Sequence, residues 1–243
     1  MLRHLLVAIV GLALGFAAYA DAPGTSRSPH FVFHYPAQDA PSIVTTAQYL
    51  ERERARVVDA YKVWDMPRVH VWFYSDHAAL EAAAGDVAGG VPSWAYGVVT
   101  REDQIHCMSP NLTEWGPYRR RLKDIAHEFV HAMTLHMNPR FANNPRWLWE
   151  SVALYEANQN VDLTDADYLR KGPPPTLAEL SRLSDQRIYE LGYTIGEFIV
   201  KRWGHAKLKA LVLANGDTQG VLGVPLPQFE RDWIAFVRKT YGP

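Results

Sequence analysis

The sequence predicts an α+β fold, a mixed β-sheet packed on helices and followed by a helical C-terminal lobe. Three observations predict it. Short runs rich in β-branched and aromatic residues, at Phe31–Tyr35, Val69–Tyr74, 96–99 and Gln104–Met108, fall in the first half of the chain. Helical periodicities stand between and after them, and beyond the break Lys171-Gly172-Pro173-Pro174-Pro175 they stand alone. A chain of 243 residues with no internal repeat suits one domain with a substantial core.

The elements follow in order. Residues 1–20 read as a secretory signal: Arg3 and His4 make a charged start, 5–18 is apolar, and Ala18-Tyr19-Ala20 is a small-x-small cleavage site before Asp21. This apolar run holds two glycines and is short for a spanning helix, which needs about 20 apolar residues. Polar residues 21–29 read as a flexible lead. The main domain then covers 30–243, with a sheet lobe over 30–137 and a helical lobe over 138–243. After the strand Phe31–Tyr35, positions 42–63 alternate apolar and charged residues at helical spacing, Val69–Tyr74 gives a second strand, and a short helix follows at 78–84. The glycine-rich stretch from Gly85 to Pro92 lacks the lysine and the strand-to-helix context of a phosphate loop, so it reads as a surface connection. Strands at 96–99 and Gln104–Met108 form a hairpin across Arg101-Glu102-Asp103. Two helices flank the break at Met137-Asn138-Pro139, the second announced by Asn144 as cap and Pro145 in its first turn. Helices at 188–203, 206–213 and 227–240 complete the chain.

The first helix of that pair carries His127-Glu128-Phe129-Val130-His131. Residues four apart on a helix lie one turn above each other, so both imidazoles can direct a nitrogen at one ion. Leu122, Ile125, Ala126, Phe129 and Met133 recur at helical spacing and give this helix an apolar face directed away from the histidines. A catalytic zinc takes three protein ligands and keeps a position open for water. Glu150, about one and a half turns into the second helix, is the candidate third ligand. Glu128 is left free of the metal to act as general base. The expectation is one Zn2+ per chain, bound by His127, His131 and Glu150. His30, His34, His70, His77, His106, His136 and His205 read as surface or strand residues.

The pattern His-Glu-x-x-His, eighteen residues (132–149), then Glu150 resembles that of the gluzincin zinc metallopeptidases. The stretch Trp147-Leu148-Trp149-Glu150-Ser151-Val152-Ala153-Leu154-Tyr155 is similar to the Trp-Leu-x-Glu-Gly-x-Ala-x-Tyr of small bacterial peptidases with a peptidase-MA-like domain, with Ser151 in place of the usual glycine. Thr134 and Met137 stand where a metzincin requires a glycine and a third histidine, which rejects that reading. Tyr189-Glu190-Leu191-Gly192-Tyr193 resembles the Tyr-x-x-Gly helix that follows the zinc site in gluzincin aminopeptidases. The resemblance implies a zincin active-site helix, peptide-bond hydrolysis, Glu128 as catalytic base and Tyr189 as oxyanion donor, with Tyr193 one turn on as the alternative. It also implies that the strand ahead of the zinc helix runs along the cleft, which would set the backbone of Gln104–Met108, with His106, beside an extended substrate. The Gly-x-Met-Glu-Asn segment of the large aminopeptidases has no counterpart before His127, so aminopeptidase specificity does not carry over.

Composition bounds the rest. A net charge of −1 and the lack of a basic stripe argue against nucleic acid as a partner, and Glu51-Arg52-Glu53-Arg54 and Arg119-Arg120-Arg121 read as solvated helix faces. Cys107 is the one cysteine, so no intramolecular disulfide forms and none stands at the cleavage site to accept lipid. The expected location is the periplasm or the medium of a bacterium after cleavage near Ala20-Asp21, with membrane contact only if the signal segment is retained. The expected activity is hydrolysis of a peptide or protein substrate. The alternatives are a catalytically idle zinc-binding or assembly module, and a zinc amidase acting on a cell-wall component, whose metal chemistry is the same. Nothing in the residues specifies an oligomeric state.

Overall fold

Alternating burial along β3 (Val69–Tyr74), with Val69, Val71 and Phe73 inside, makes this strand the centre of a mixed five-stranded sheet among the described residues. The computed structural model describes residues 24–163, 166–170 and 172–242 and shows an α+β fold; the signal segment expected over 1–20 lies outside them. The strands are β1 (Gly24–Arg27), β2 (Phe31–Tyr35), β3, β4 (Gly97–Arg101) and β5 (Gln104–Met108), in the order β1-β2-β3-β5-β4. β2, β3 and β5 run parallel, and β1 and β4 pair antiparallel at the two edges. Parallel neighbours need a long crossover, which α1 (Ala40–Tyr61) supplies between β2 and β3.

Two expectations change here. The lead is not featureless, because Gly24–Arg27 adds an antiparallel edge strand to β2, with Gly24 opposite Tyr35. Its polar composition hid it: an edge strand with one exposed side carries no apolar alternation to read. The second concerns the cleft strand. β5 is hydrogen-bonded by β3 on one side and β4 on the other, so its backbone has nothing left for a substrate. On this side of the sheet the edge strand, among the described residues, is β4.

The helix α2 (His77–Ala88) runs past the expected end and takes in Gly85, stopping at Gly89 (φ 76). Left-handed backbone at Gly89 and Gly90 (φ 100) is what ends it, so the glycine-rich connection is shorter than the composition suggested. α3 (Tyr118–Met137) returns beneath the sheet, where Phe129 meets Phe31 edge-on at 5.5 Å. The helical lobe holds α4 (Arg146–Glu156), α5 (Asp167–Arg170), α6 (Leu177–Leu180), α7 (Ile188–Trp203), α8 (His205–Leu213), α9 (Thr218–Leu222) and α10 (Leu226–Tyr241). The short α6 starts on a capping box, Thr176 and Glu179 each bonding the other's backbone N–H, and α9 on Asp217.

α4 and α7 pack closely because α7 presents glycines to α4. A Cβ on Gly192 would stand 2.6 Å from Leu154 Cδ1, and one on Gly196 only 2.5 Å from Tyr155 Cβ and 2.9 Å from the Ser151 carbonyl oxygen. Ser151, fully buried between them, is small enough for the approach and turns its hydroxyl onto the Trp147 carbonyl.

Candidate metal centre

α3 buries almost every residue from Arg121 to Thr134. Its apolar face meets the sheet, as the periodicity required, while the histidine face is covered by α4 rather than open to water. The expected cap shifts by one residue: Pro145 occupies the N-cap position after a cis Asn144–Pro145 bond, and α4 begins at Arg146. Glu150 is then the fifth residue of α4, turned toward α3.

There the three expected ligands meet. Glu150 Oε2 lies 3.3 Å from His127 Nε2 and 3.7 Å from His131 Nε2, and the potential ligand atoms all fall within 4.8 Å of one another. Ligands about 2.0–2.1 Å from a tetrahedral ion stand roughly 3.3–3.5 Å apart, so the spacing suits one small divalent cation. Glu150 Oε2 is buried and makes no well-formed hydrogen bond. Two imidazole nitrogens thus converge on one carboxylate oxygen at the edge of hydrogen-bonding distance, an arrangement that a cation between them would satisfy. No other group of three or more such side chains occurs among the described residues.

The surroundings fix each ligand. The His131 ring lies flat on Trp149, centroids 4.1 Å apart and planes 6° from parallel. His127 Nδ1 donates to Gln159 Oε1 at 2.7 Å, leaving Nε2 toward the cluster. The second oxygen of Glu150 faces Arg146 Nε at 3.9 Å and accepts from Tyr189 Oη at 3.4 Å. Arg146 in turn donates from Nη1 to the carbonyls of Leu180, Arg182 and Asp185, which ties the start of α4 to the turn after α6.

Charge in this pocket is set by burial and proximity. Burial opposes ionisation of Glu150, yet the two imidazoles against it, those of His127 and His131, hold its carboxyl far below the usual range. Burial alone would lower His127, but the Glu150 carboxylate 3.3 Å away raises it to about 9. Burial and the His127 charge lower His131 to about 4. Of the three groups, His127 is thus the one whose protonated form is favoured when no cation is present. Burial pushes Glu128 up to about 7, with His127 opposing and Glu150 and Asp124 reinforcing. The edge strand lies against this side chain, since a Cβ on Gly97 would come 3.0 Å from Glu128 Cγ.

The two candidate tyrosines separate. Tyr189 reaches Glu150, whereas Tyr193 turns its ring toward Tyr155 at 5.5 Å, farther along α4. Glu156 is committed elsewhere, buried against Arg56 at 2.8 Å and His205 at 3.1 Å. His106 stays a strand residue: it bonds Tyr74 Oη at 2.8 Å, and burial lowers it to about 4. Cys107 is buried in the core with its thiol pushed up by burial.

Sequence reasoning missed Gln159, Asp124, Arg146 and Trp149. Asp124 was within reach of it, being three residues before His127 on the same helix face. Gln159 was not, because only the turn after α4 brings it back to α3. Comparison with protein-family models, curated proteins and solved structures finds no match for this chain.

Proposed function

We propose that this chain is a zinc-dependent peptidase, periplasmic or secreted, that cleaves peptide bonds of an extended substrate. The observation that carries the reading is the convergence of three buried donors, His127, His131 and Glu150, beside a fourth buried group, Glu128, that joins no ion pair with them. Two imidazoles and one carboxylate are a donor set that suits zinc and leaves it a coordination position to spare. Zinc held by His127, His131 and Glu150 would supply Lewis acidity.

The residues supply the rest. Glu128 would take a proton at its carboxylate and return it to the leaving nitrogen, a task that its burial, which raises its affinity for a proton, favours. Burial and the Glu150 charge raise the Tyr189 phenol well above its ordinary range, so it stays protonated and can act only as a donor, toward the developing oxyanion. The unpaired side of β4 offers backbone groups to an extended chain, with Gly97 against Glu128 at its start. No helix among the described residues is long and apolar enough to cross a membrane.

Peptide-library profiling of the zinc-loaded protein, run beside Glu128→Gln, tests the proposal. Metal-dependent cleavage that disappears in the variant is the expected result. No cleavage of any peptide by the zinc-loaded protein, or equal cleavage by the variant, would sink it.

A further inference from the structure

Beyond the ligands themselves, a line of side chains leads away from His127. Its Nδ1 donates to Gln159 Oε1 at 2.7 Å, Gln159 Nε2 donates to Asp124 Oδ1 at 2.6 Å, and Asp124 Oδ2 pairs with Arg121 Nη2 at 2.9 Å. Asp124 and Arg121 ride the same helix as the histidines, while Gln159 comes from the turn that follows α4. That turn is held to both helices: Asn158 adopts φ 52, its carbonyl accepts from Lys123 Nζ of α3 at 2.6 Å, and the Gln159 backbone N–H donates to the Leu154 carbonyl of α4 at 2.9 Å.

An amide is symmetric in shape and two-faced in chemistry, with a donor at one end and an acceptor at the other. A carboxylate ion-paired with arginine accepts only. Asp124 therefore selects the NH2 end of Gln159, which turns Oε1 to His127, which in turn places the imidazole proton on Nδ1. The lone pair is left on Nε2, where the ion belongs.

We propose that Asp124 and Gln159 are positioning residues of the metal site, fixing through one directed chain of hydrogen bonds which nitrogen of His127 binds the ion. This rests on the reading of His127 as a zinc ligand. His131 lacks such a device: its Nδ1 is buried without a partner, and its orientation comes from Trp149. The two imidazoles are thus held by different means, one by a hydrogen-bond relay and one by stacking.

Zinc titration against a competing chelator tests the relay, with thermal melting of the metal-free protein as a control on folding. Gln159→Leu should weaken zinc binding by about 10–100-fold with the melt little changed. Asp124→Asn, which frees the amide to turn over, should weaken it by a smaller factor. The double variant Asp124→Asn with Gln159→Glu restores an acceptor facing His127 and a donor behind it, and should bring affinity back to within a few-fold of the starting protein. Nitrogen-15 spectra of the zinc-loaded protein should show the His127 proton on Nδ1 and its loss to rapid solvent exchange in Gln159→Leu. Undiminished affinity in Gln159→Leu, or a double variant as weak as Gln159→Leu, would overturn the relay. Zinc uptake unaffected by His131→Ala is a different failure, that of the metal site itself.

Discussion

Tyr189 Oη lies 3.4 Å from Oε1 of Glu150, the oxygen opposite the one that faces the two histidines. One carboxylate therefore joins the ligand cluster on one side and a phenol on the other. The phenol is placed near the cluster by α7, and its ring also meets Trp94 edge-on at 5.6 Å. Tyr189→Phe should lower kcat by roughly 100-fold with KM little changed, as for a donor used mainly in the transition state. Tyr193→Phe should match the starting protein. Steady-state kinetics on any cleaved peptide decides it, and the reverse pattern would move the role to Tyr193.

Zinc content follows from the ligand set. Purified protein should hold about one zinc per chain, and His131→Ala should lose it. Elemental analysis is the check. Glu150→Ala should also weaken zinc binding sharply, because it removes a bond and the one negative charge among the ligands.

Binding should also release a proton. With no cation present, His127 is raised to about 9 and so is protonated at neutral pH, and a ligand must shed that proton. Zinc affinity should then climb with pH below about 9, about tenfold per unit, and calorimetry in buffers of different ionisation enthalpy should count about one proton released at pH 7.5. Proton release near zero would contradict the His127–Glu150 coupling.

Glu128→Gln should keep both metal and fold and lose turnover by several orders of magnitude, because the amide preserves shape but accepts no proton. Lost zinc in this variant would instead make Glu128 a ligand.

Gly196→Ala probes the scaffold. Its new Cβ would fall 2.9 Å from the Ser151 carbonyl oxygen, backbone that can yield only if α4 moves. The expected cost is about 1–3 kcal/mol in chemical denaturation, with weaker zinc binding because Glu150 travels with α4. Full stability would show that the two helices have slack.

Much of this was legible in the residues. His127, His131 and Glu150 were found because a helix repeats its face every four residues, and the convergence then needed only a reversal between two helices. The strands at Phe31–Tyr35, Val69–Tyr74 and Gln104–Met108 were legible from their apolar runs. What was not legible depends on neighbours distant in the chain. Whether β5 is an edge or an interior strand is decided by where β3 pairs, and no local pattern encodes that. Gly24–Arg27 carries no strand signature, because only one of its sides meets protein. Tyr189 and Tyr193 look alike on a helical wheel, and it took the glycine-mediated contact of α7 with α4 to set one beside Glu150 and the other beside Tyr155.

β1 and β4 bound the sheet at opposite ends, separated by three strands. At about 4.8 Å per strand, that puts roughly 19 Å between them. Among the described residues the first element is β1, which lies at the edge of the sheet opposite β4, the strand that meets Glu128 at Gly97. On the reading proposed above, a handle ahead of β1 is therefore attached at the sheet edge opposite the one that would receive a substrate.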